Sequence, residues 1–331
     1  MSTLTEPHLS QPQPEGVRYQ RVEPKRREEA LALLLTGRTH GAAEAVDNFL
    51  SFAGRQSIDL DQLFAAYPPP PLHAPAARPP AAAVLPAPLA TLLVVPCAGR
   101  TAMLFLSPLA DARRNQVVAD LLRWSLSQQD ASRVRLAQGL LEPHQQHEAA
   151  AMQLAGFHKL AHLAYLTHPG LPRVVDLSLP AEIEVHTWSE SRRPQFAAAI
   201  QASYEDTADC PGLLGLRSID DIMAGHMATG RFEPSLWMTL AHQGEPVGVM
   251  LLNVVLEGTA LELVYFGLAK PWRGRGLGRK LLEHAVSLVH AWRTQQLILA
   301  VDELNASALK LYRSLGFKKT ARKLAMILAL P

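Results

Sequence analysis

The sequence predicts a mixed α/β protein made of two consecutive domains, and three observations predict it. The chain has 331 residues, more than one ordinary core holds and about right for two domains of ~150 each. Hydrophobic residues make up 48% and charged residues 19%, the composition of a globular chain rather than a disordered one. Segments with strand-like and helix-like periodicity alternate through both halves.

In chain order, residues 1–16 are polar and proline-containing and are expected to form a flexible tail. A strand is expected over 17–22, then helix over 26–35, where leucines fall on one stripe. Further helix is expected at 42–52 and 60–66. Proline and alanine crowd 67–80, which predicts a loop, because proline removes ladder and helix donors. Apolar runs at 90–95 and 102–106 flank Gly99 and predict a hairpin. Helix 113–128, strand 134–139, helix 147–154 and strand 159–166 complete the first domain, residues 17–167.

Two prolines and a glycine between Thr167 and Pro172 mark a linker, taken as 168–181. In the second domain, 182–331, strands are expected at 182–187, 236–243 and 246–255, the latter two turning at Gly244–Glu245. Further strands are expected at 259–268, 296–301 and 319–330. Helices are expected at 194–204, 218–228, 277–293 and 305–315.

Composition excludes several function classes. A formal net charge of +2, without a run of like charges, gives no reason to expect nucleic acid or an anionic membrane as partner. Cys97 and Cys210 lie far apart and offer neither a disulfide framework nor metal-ligand spacing. No apolar run reaches the ~20 residues that span a bilayer, and the amino terminus lacks a signal-peptide core. These readings predict a soluble, cytoplasmic protein that needs no metal.

The informative stretch is Glu262–Gly278. A β-branched and aromatic strand runs into Arg273-Gly274-Arg275-Gly276-Leu277-Gly278. An amphipathic helix then begins at once, with Leu281, Leu282, Ala285, Val289 and Trp292 on one face. Glycines at such a turn let the backbone approach a ligand. The free N–H groups of the helix start, with the positive end of its dipole behind them, suit a pyrophosphate. The spacing matches neither the phosphate-cradling lysine loop nor the G-x-G-x-x-G dinucleotide fingerprint.

This R-x-x-G-x-G turn, followed by the N-x-x-A-x-x-L-Y-x-x-x-G-F pattern from Asn305 to Phe317, resembles the two hallmark motifs of the GNAT superfamily of N-acetyltransferases. The resemblance covers roughly residues 182–331. It implies a mixed, mostly antiparallel twisted sheet flanked by helices, and acetyl-CoA as co-substrate. It also implies direct acetyl transfer to a primary amine on a small molecule or peptide.

Carried over by position, the amides of Arg273, Gly274, Arg275, Gly276, Leu277 and Gly278 would grip the pyrophosphate. Phe266, Gly267 and Leu268 would present backbone groups to the pantetheine arm where two strands splay. Asn305 would hydrogen-bond the pantetheine or thioester region. Tyr312 takes the place of the general acid toward the leaving thiolate, and Glu262 that of the general base in some members. Lys270 stands where a proline is common, with Pro271 shifted by one. The rival expectation is a non-catalytic acyl-CoA-binding or structural protein.

The first domain looks like an eroded copy of the second. One offset of 160 residues aligns Gly156-Phe157 with Gly316-Phe317, Arg113 with Arg273, and Leu121-Leu122 with Leu281-Leu282. Arg114, Gln116 and Val118 replace the three glycines, Met152 replaces Tyr312, and Gln145 replaces Asn305. The layout is similar to that of tandem GNAT proteins such as mycothiol synthase, and predicts an intramolecular pseudo-dimer. The loop holding Glu205, Asp206, Asp209 and Cys210, between two helices, has two readings: a border of the acceptor site whose carboxylates recognise a cationic amine, or, favoured here, a solvated surface. Cys210 reads as a buried, inert thiol. His226 reads as structural.

Overall fold

A computed structural model describes residues 16–69 and 86–331. The expected tail, apart from Gly16, and most of the proline-rich loop lie outside the described residues. The chain forms two compact units. One comprises Met1–Pro96, Ala102–Lys159 and Met326–Pro331, and the other Cys97–Thr101 and Leu160–Ala325.

The first unit opens with strand β1 (Arg18–Arg21) and helices α1 (Arg27–Thr36) and α2 (Ala43–Arg55). Gly37, in a left-handed conformation with φ 72°, ends α1 and returns its N–H to the Leu33 carbonyl at 2.9 Å. Strands β2 (Leu63–Tyr67), β3 (Ala90–Cys97), β4 (Thr101–Leu106) and β5 (Leu136–Leu141) follow, with helices α3 (Asn115–Ser127) and α4 (Gln146–Leu154). The sheet runs β1-β2-β3-β4-β5, with β1/β2 and β2/β3 antiparallel. The β3–β4 hairpin turns at Gly99 and Arg100, both with positive φ.

One expectation fails here. Residues 60–66 do not continue as helix: a single 3-10 turn, Leu60–Gln62, leads into β2, whose five residues are all buried. A short apolar run buried on every side carries no alternation, so periodicity alone does not separate strand from helix.

The second unit takes the strand β6 (His158–His168) from the first half of the chain. It adds β7 (Glu184–Thr187), α5 (Arg193–Ser203), α6 (Ile219–Met227), β8 (Trp237–His242), β9 (Glu245–Val255) and β10 (Ala260–Leu268). Then come α7 (Leu277–Ala291), β11 (Gln296–Asp302), α8 (Ala306–Ser314) and β12 (Lys318–Ala329), whose last residues, from Met326, belong to the first unit. The strand order is β7-β8-β9-β10-β11-β6-β12. Pairing is antiparallel from β7 through β10 and between β11 and β6, and parallel between β10 and β11. The β8–β9 turn falls at Gln243 (φ 52°) and Gly244 (φ 83°), one residue earlier than expected. Helix α7 packs Leu281, Leu282, Ala285 and Val289 into the larger core cluster.

A second cluster beneath α5 and α6 is aromatic: Trp237 lies edge-on to Trp188 and to Phe232, with centroids 5.4 and 4.8 Å apart. Its indole N–H donates to buried Asn253 at 2.8 Å, and the Asn253 amide donates to the carbonyls of His226 and Thr229, each at 2.7 Å. Asn253→Leu would strand all three partners in an apolar setting. It is expected to cost roughly 2–4 kcal/mol, measurable as a lower urea midpoint at unchanged m-value.

Candidate functional site

The site grows from a fault in the second unit's sheet. Strands β10 and β11 pair only over Ala260↔Gln296, Leu261↔Leu297 and Glu262↔Ile298. Beyond that, β10 stays on β9 as far as Leu268↔Gly248, while β11 follows β6 as far as Asp302↔Leu163. The two strands splay, and the β11-facing edge of β10 has no ladder partner from Leu263 onward. A β-bulge between Leu263 and Tyr265 places Val264 as an extra residue beside the divergence. Phe266, Gly267 and Leu268 lie along this open edge. A Cβ on Gly267 would fall 2.5 Å from the Ser203 hydroxyl oxygen, so the end of α5 requires glycine there.

The glycine turn follows β10 directly. Gly274 (φ 74°) and Gly276 (φ 81°) are left-handed, with nothing within 4 Å of a notional Cβ, so backbone conformation and not crowding selects glycine. Gly276 is the N-cap of α7, and no side chain caps that end. No acidic residue sits in the first turn. The opening amides of α7 therefore remain available to an anion. A Cβ on Gly278 would lie 3.5 Å from both Phe266 and Leu311, which brings the turn, β10 and α8 together.

Arg273 plays a different part. Its guanidinium donates to the carbonyls of Leu268, Ser203, Glu205 and Asp206 at 2.7–3.2 Å. The side chain thus latches the end of α5 to the turn. Lys270 pairs with Glu205 and Asp206 at 3.2 and 2.6 Å, reinforcing the same junction. Arg275 stacks over Trp272, 4.7 Å from the ring centroid.

At the far arm of the splay, Asn305 is the N-cap of α8, its side chain accepting from the Ala308 N–H at 3.2 Å. Its side chain also acts to lower the pKa of the Asp209 carboxyl, against the larger opposite effect of burial. Asp209 accepts the Asp302 N–H at 2.9 Å, and Asp302 accepts the Cys210 N–H at 3.3 Å. The Asp209 residue keeps exposed surface, yet crowding of its carboxyl raises its pKa, with the Asp302 charge adding to the effect. Burial, then the charges of Asp209 and Asp302, push the Cys210 thiol up to about 12. Cys210 is no thiolate at neutral pH, in keeping with the inert role read from the sequence.

Tyr312 is buried on α8 against Phe317. Burial, then the Asp209 charge, raise its pKa, so the phenol holds its proton at any physiological pH. Glu262 sits at the last paired rung before the splay. Burial alone raises its pKa, and no ion pair to it is formed among the described residues. Asn305 and Tyr312 thus share α8, and Asp209 interacts with both. Glu262, at the last paired rung, makes no ion pair with any of them among the described residues.

A cavity of about 370 Å³ opens beside the bulge, lined among others by Tyr204, Asp209, Arg217, Ile222, His226 and Tyr265. Of this lining, sequence reading singled out only the Asp209–Cys210 loop as a possible border of the acceptor site. It missed Arg217, Ile222 and the tyrosines, which come from α5, α6, β10 and the inter-helix loop and share no motif. No cluster of three or more His, Cys, Asp or Glu residues that would hold a metal occurs among the described residues. No helix described is long and apolar enough to cross a membrane.

The family model for the acetyltransferase (GNAT) family matches residues 189–317. A peptidyl-lysine N-acetyltransferase of Salmonella typhimurium is 36% identical over 90 residues, 27% of this chain and 54% of that protein. The chain thus spans about half the length of that relative. The ribosomal protein bS18-alanine N-acetyltransferase of Escherichia coli is 32% identical over 117 residues, 31% of this chain and 76% of that protein. Among solved structures, a GCN5-related N-acetyltransferase from Sphaerobacter thermophilus aligns with a TM-score of 0.55 and 15% identity, covering 96% of each chain; that likeness concerns the fold.

Proposed function

Because the chain belongs to the GNAT acetyltransferase family, we propose that its C-terminal half, residues 182–331 with β6 completing the sheet, transfers an acetyl group from acetyl-CoA to a primary amine. The observation that carries this reading is the splay of β10 from β11 beside an uncapped helix start. An open strand edge offers backbone groups to an extended, amide-containing arm, and the amides of residues 273–278 offer a pyrophosphate its donors. Acetyl-CoA would supply the activated acyl thioester. The named relatives act on peptidyl-lysine and on a ribosomal protein alanine, and both acceptors are amines.

The chain's own residues divide the remaining work. An amine attacks only when neutral, so Glu262, its pKa raised by burial, takes the proton directly or through water. The unpaired edge of β10 supplies N–H donors toward charge developing on the carbonyl oxygen. Tyr312 keeps its proton until the sulfur leaves and then donates it. Asn305 holds the start of α8 in place. The N-terminal half, residues 17–167, serves as the eroded copy: α3 begins at Asn115 without a glycine turn, and Met152 is fully buried where the phenol would stand.

Release of the coenzyme A thiol, followed with acetyl-CoA and a panel of primary amines, tests the reading. Amine-dependent release supports it, and failure of the protein to bind acetyl-CoA in calorimetry overturns it. Tyr312→Phe is expected to lower kcat on the order of 10²-fold with acetyl-CoA affinity unchanged. An unchanged kcat removes Tyr312 from the acid role.

A further inference from the structure

The 370 Å³ cavity carries two opposite charges that do not meet. Arg217 lines it with no carboxylate partner among the described residues. Its Nη2 donates to the Asp221 main-chain carbonyl at 2.7 Å, and its Nε is buried without a partner. The neighbouring Asp221 carboxylate is already committed to Arg100, with contacts of 2.6–3.1 Å, and to the Ser218 hydroxyl at 2.7 Å. Arg217 is half-buried, but its buried, unpartnered Nε is costly unless something else completes it.

His226 adds a second open position, since its Nε2 is buried and unpartnered while its ring lies against Tyr265 with centroids 5.3 Å apart. Burial, then the Arg217 charge, hold its pKa down at about 4, so it is neutral at physiological pH and offers a hydrogen bond without a charge. The opposite charge belongs to Asp209, on the same cavity. Asp209 is tied to the end of β11 by the Asp302 N–H at 2.9 Å, whereas Arg217 is tied to α6 through the Asp221 carbonyl at 2.7 Å, and no ion pair joins the two among the described residues. Asp209 therefore stands on the β11 side of the cavity lining, and Arg217 on the α6 side. Ile222 and the rings of Tyr204 and Tyr265, which stand edge-to-face at 5.9 Å, belong to the same lining.

A cavity lined by opposite charges that form no ion pair with each other, together with apolar and aromatic side chains, complements a zwitterion. We infer that the acceptor is an amino-acid-sized aminocarboxylate with an apolar side chain, its carboxylate on Arg217 and His226 and its amine directed toward Asp209. Arg suits this task because its planar fork takes both oxygens of a carboxylate. This assignment rests on the acetyl-transfer reading for its chemistry, but the binding it predicts stands apart from it.

The test is calorimetric, on the full-length protein with coenzyme A present, using leucine and phenylalanine, each as free carboxylate and as carboxamide. The carboxylates are expected to bind at least about tenfold more tightly than their amides, and Arg217→Gln is expected to erase that difference. If the variant does not fold, the wild-type comparison decides alone. Equal binding of carboxylate and amide, or no binding of either carboxylate, overturns the assignment. Carboxylate preference without acetyl-CoA binding upholds the cavity and overturns acetyl transfer. Acetyl-CoA binding with amides acetylated as readily as amino acids leaves transfer standing and overturns the zwitterionic acceptor.

Discussion

Glu262→Gln is expected to lower kcat/KM by about 10²–10⁴-fold while leaving the protein at least as stable as before. Glu262 has its pKa raised by burial, so its charged form is the disfavoured one in the folded state. For a group shifted upward, the stabilising difference is present below the unfolded pKa and disappears as pH rises through the folded pKa. At neutral pH the native protein therefore carries an unfavourable buried charge that glutamine does not. Activity runs the other way, since the base works only when ionised. The acidic limb of kcat/KM should fall at a pH above that of an ordinary glutamate. A variant that loses stability but keeps its rate would assign Glu262 to packing.

The second large effect separates charge from shape at one atom's cost. Gly276 has φ 81°, a region that Asn and Asp tolerate better than other side chains. Gly276→Asn and Gly276→Asp should therefore pay similar backbone strain, about 1 kcal/mol. Open space around the position leaves room for either side chain. Aspartate, however, sets a carboxylate at the helix start where a pyrophosphate would sit. Two like charges a few ångströms apart near a surface repel by about 1–4 kcal/mol, so the aspartate variant should bind acetyl-CoA about 10–10²-fold more weakly than the asparagine variant in calorimetry. The gap should narrow as salt is added. Equal affinities would move the pyrophosphate away from this turn.

How legible these features were in the sequence follows from how local their causes are. The glycine turn and its helix announce themselves because left-handed backbone and an apolar stripe are short-range properties of residues 273–292. The N-cap at Asn305 is equally local. Strand β2 was not legible, because Leu63–Tyr67 is buried throughout and lacks alternation. The Val264 bulge depends on how β9 meets β10, and nothing in the run of residues 262–266 records it. Arg217 and Asp209 take their meaning from a cavity assembled from distant segments. Arg273 was legible as a motif residue, but its side-chain latch onto the three carbonyls of Ser203, Glu205 and Asp206 at the α5 end was not, since those acceptors lie about seventy residues away.

The pairing of β11 with β6, and the placement of residues 326–331 in the first unit, bear on how the molecule comes into being. During translation the first unit stays short of its final residues until every other described residue has left the ribosome. The second unit, in turn, recruits a strand made well before most of its own helices. Neither unit is built from one continuous stretch of chain, so the half that is synthesised first is expected to expose open sheet edges longest.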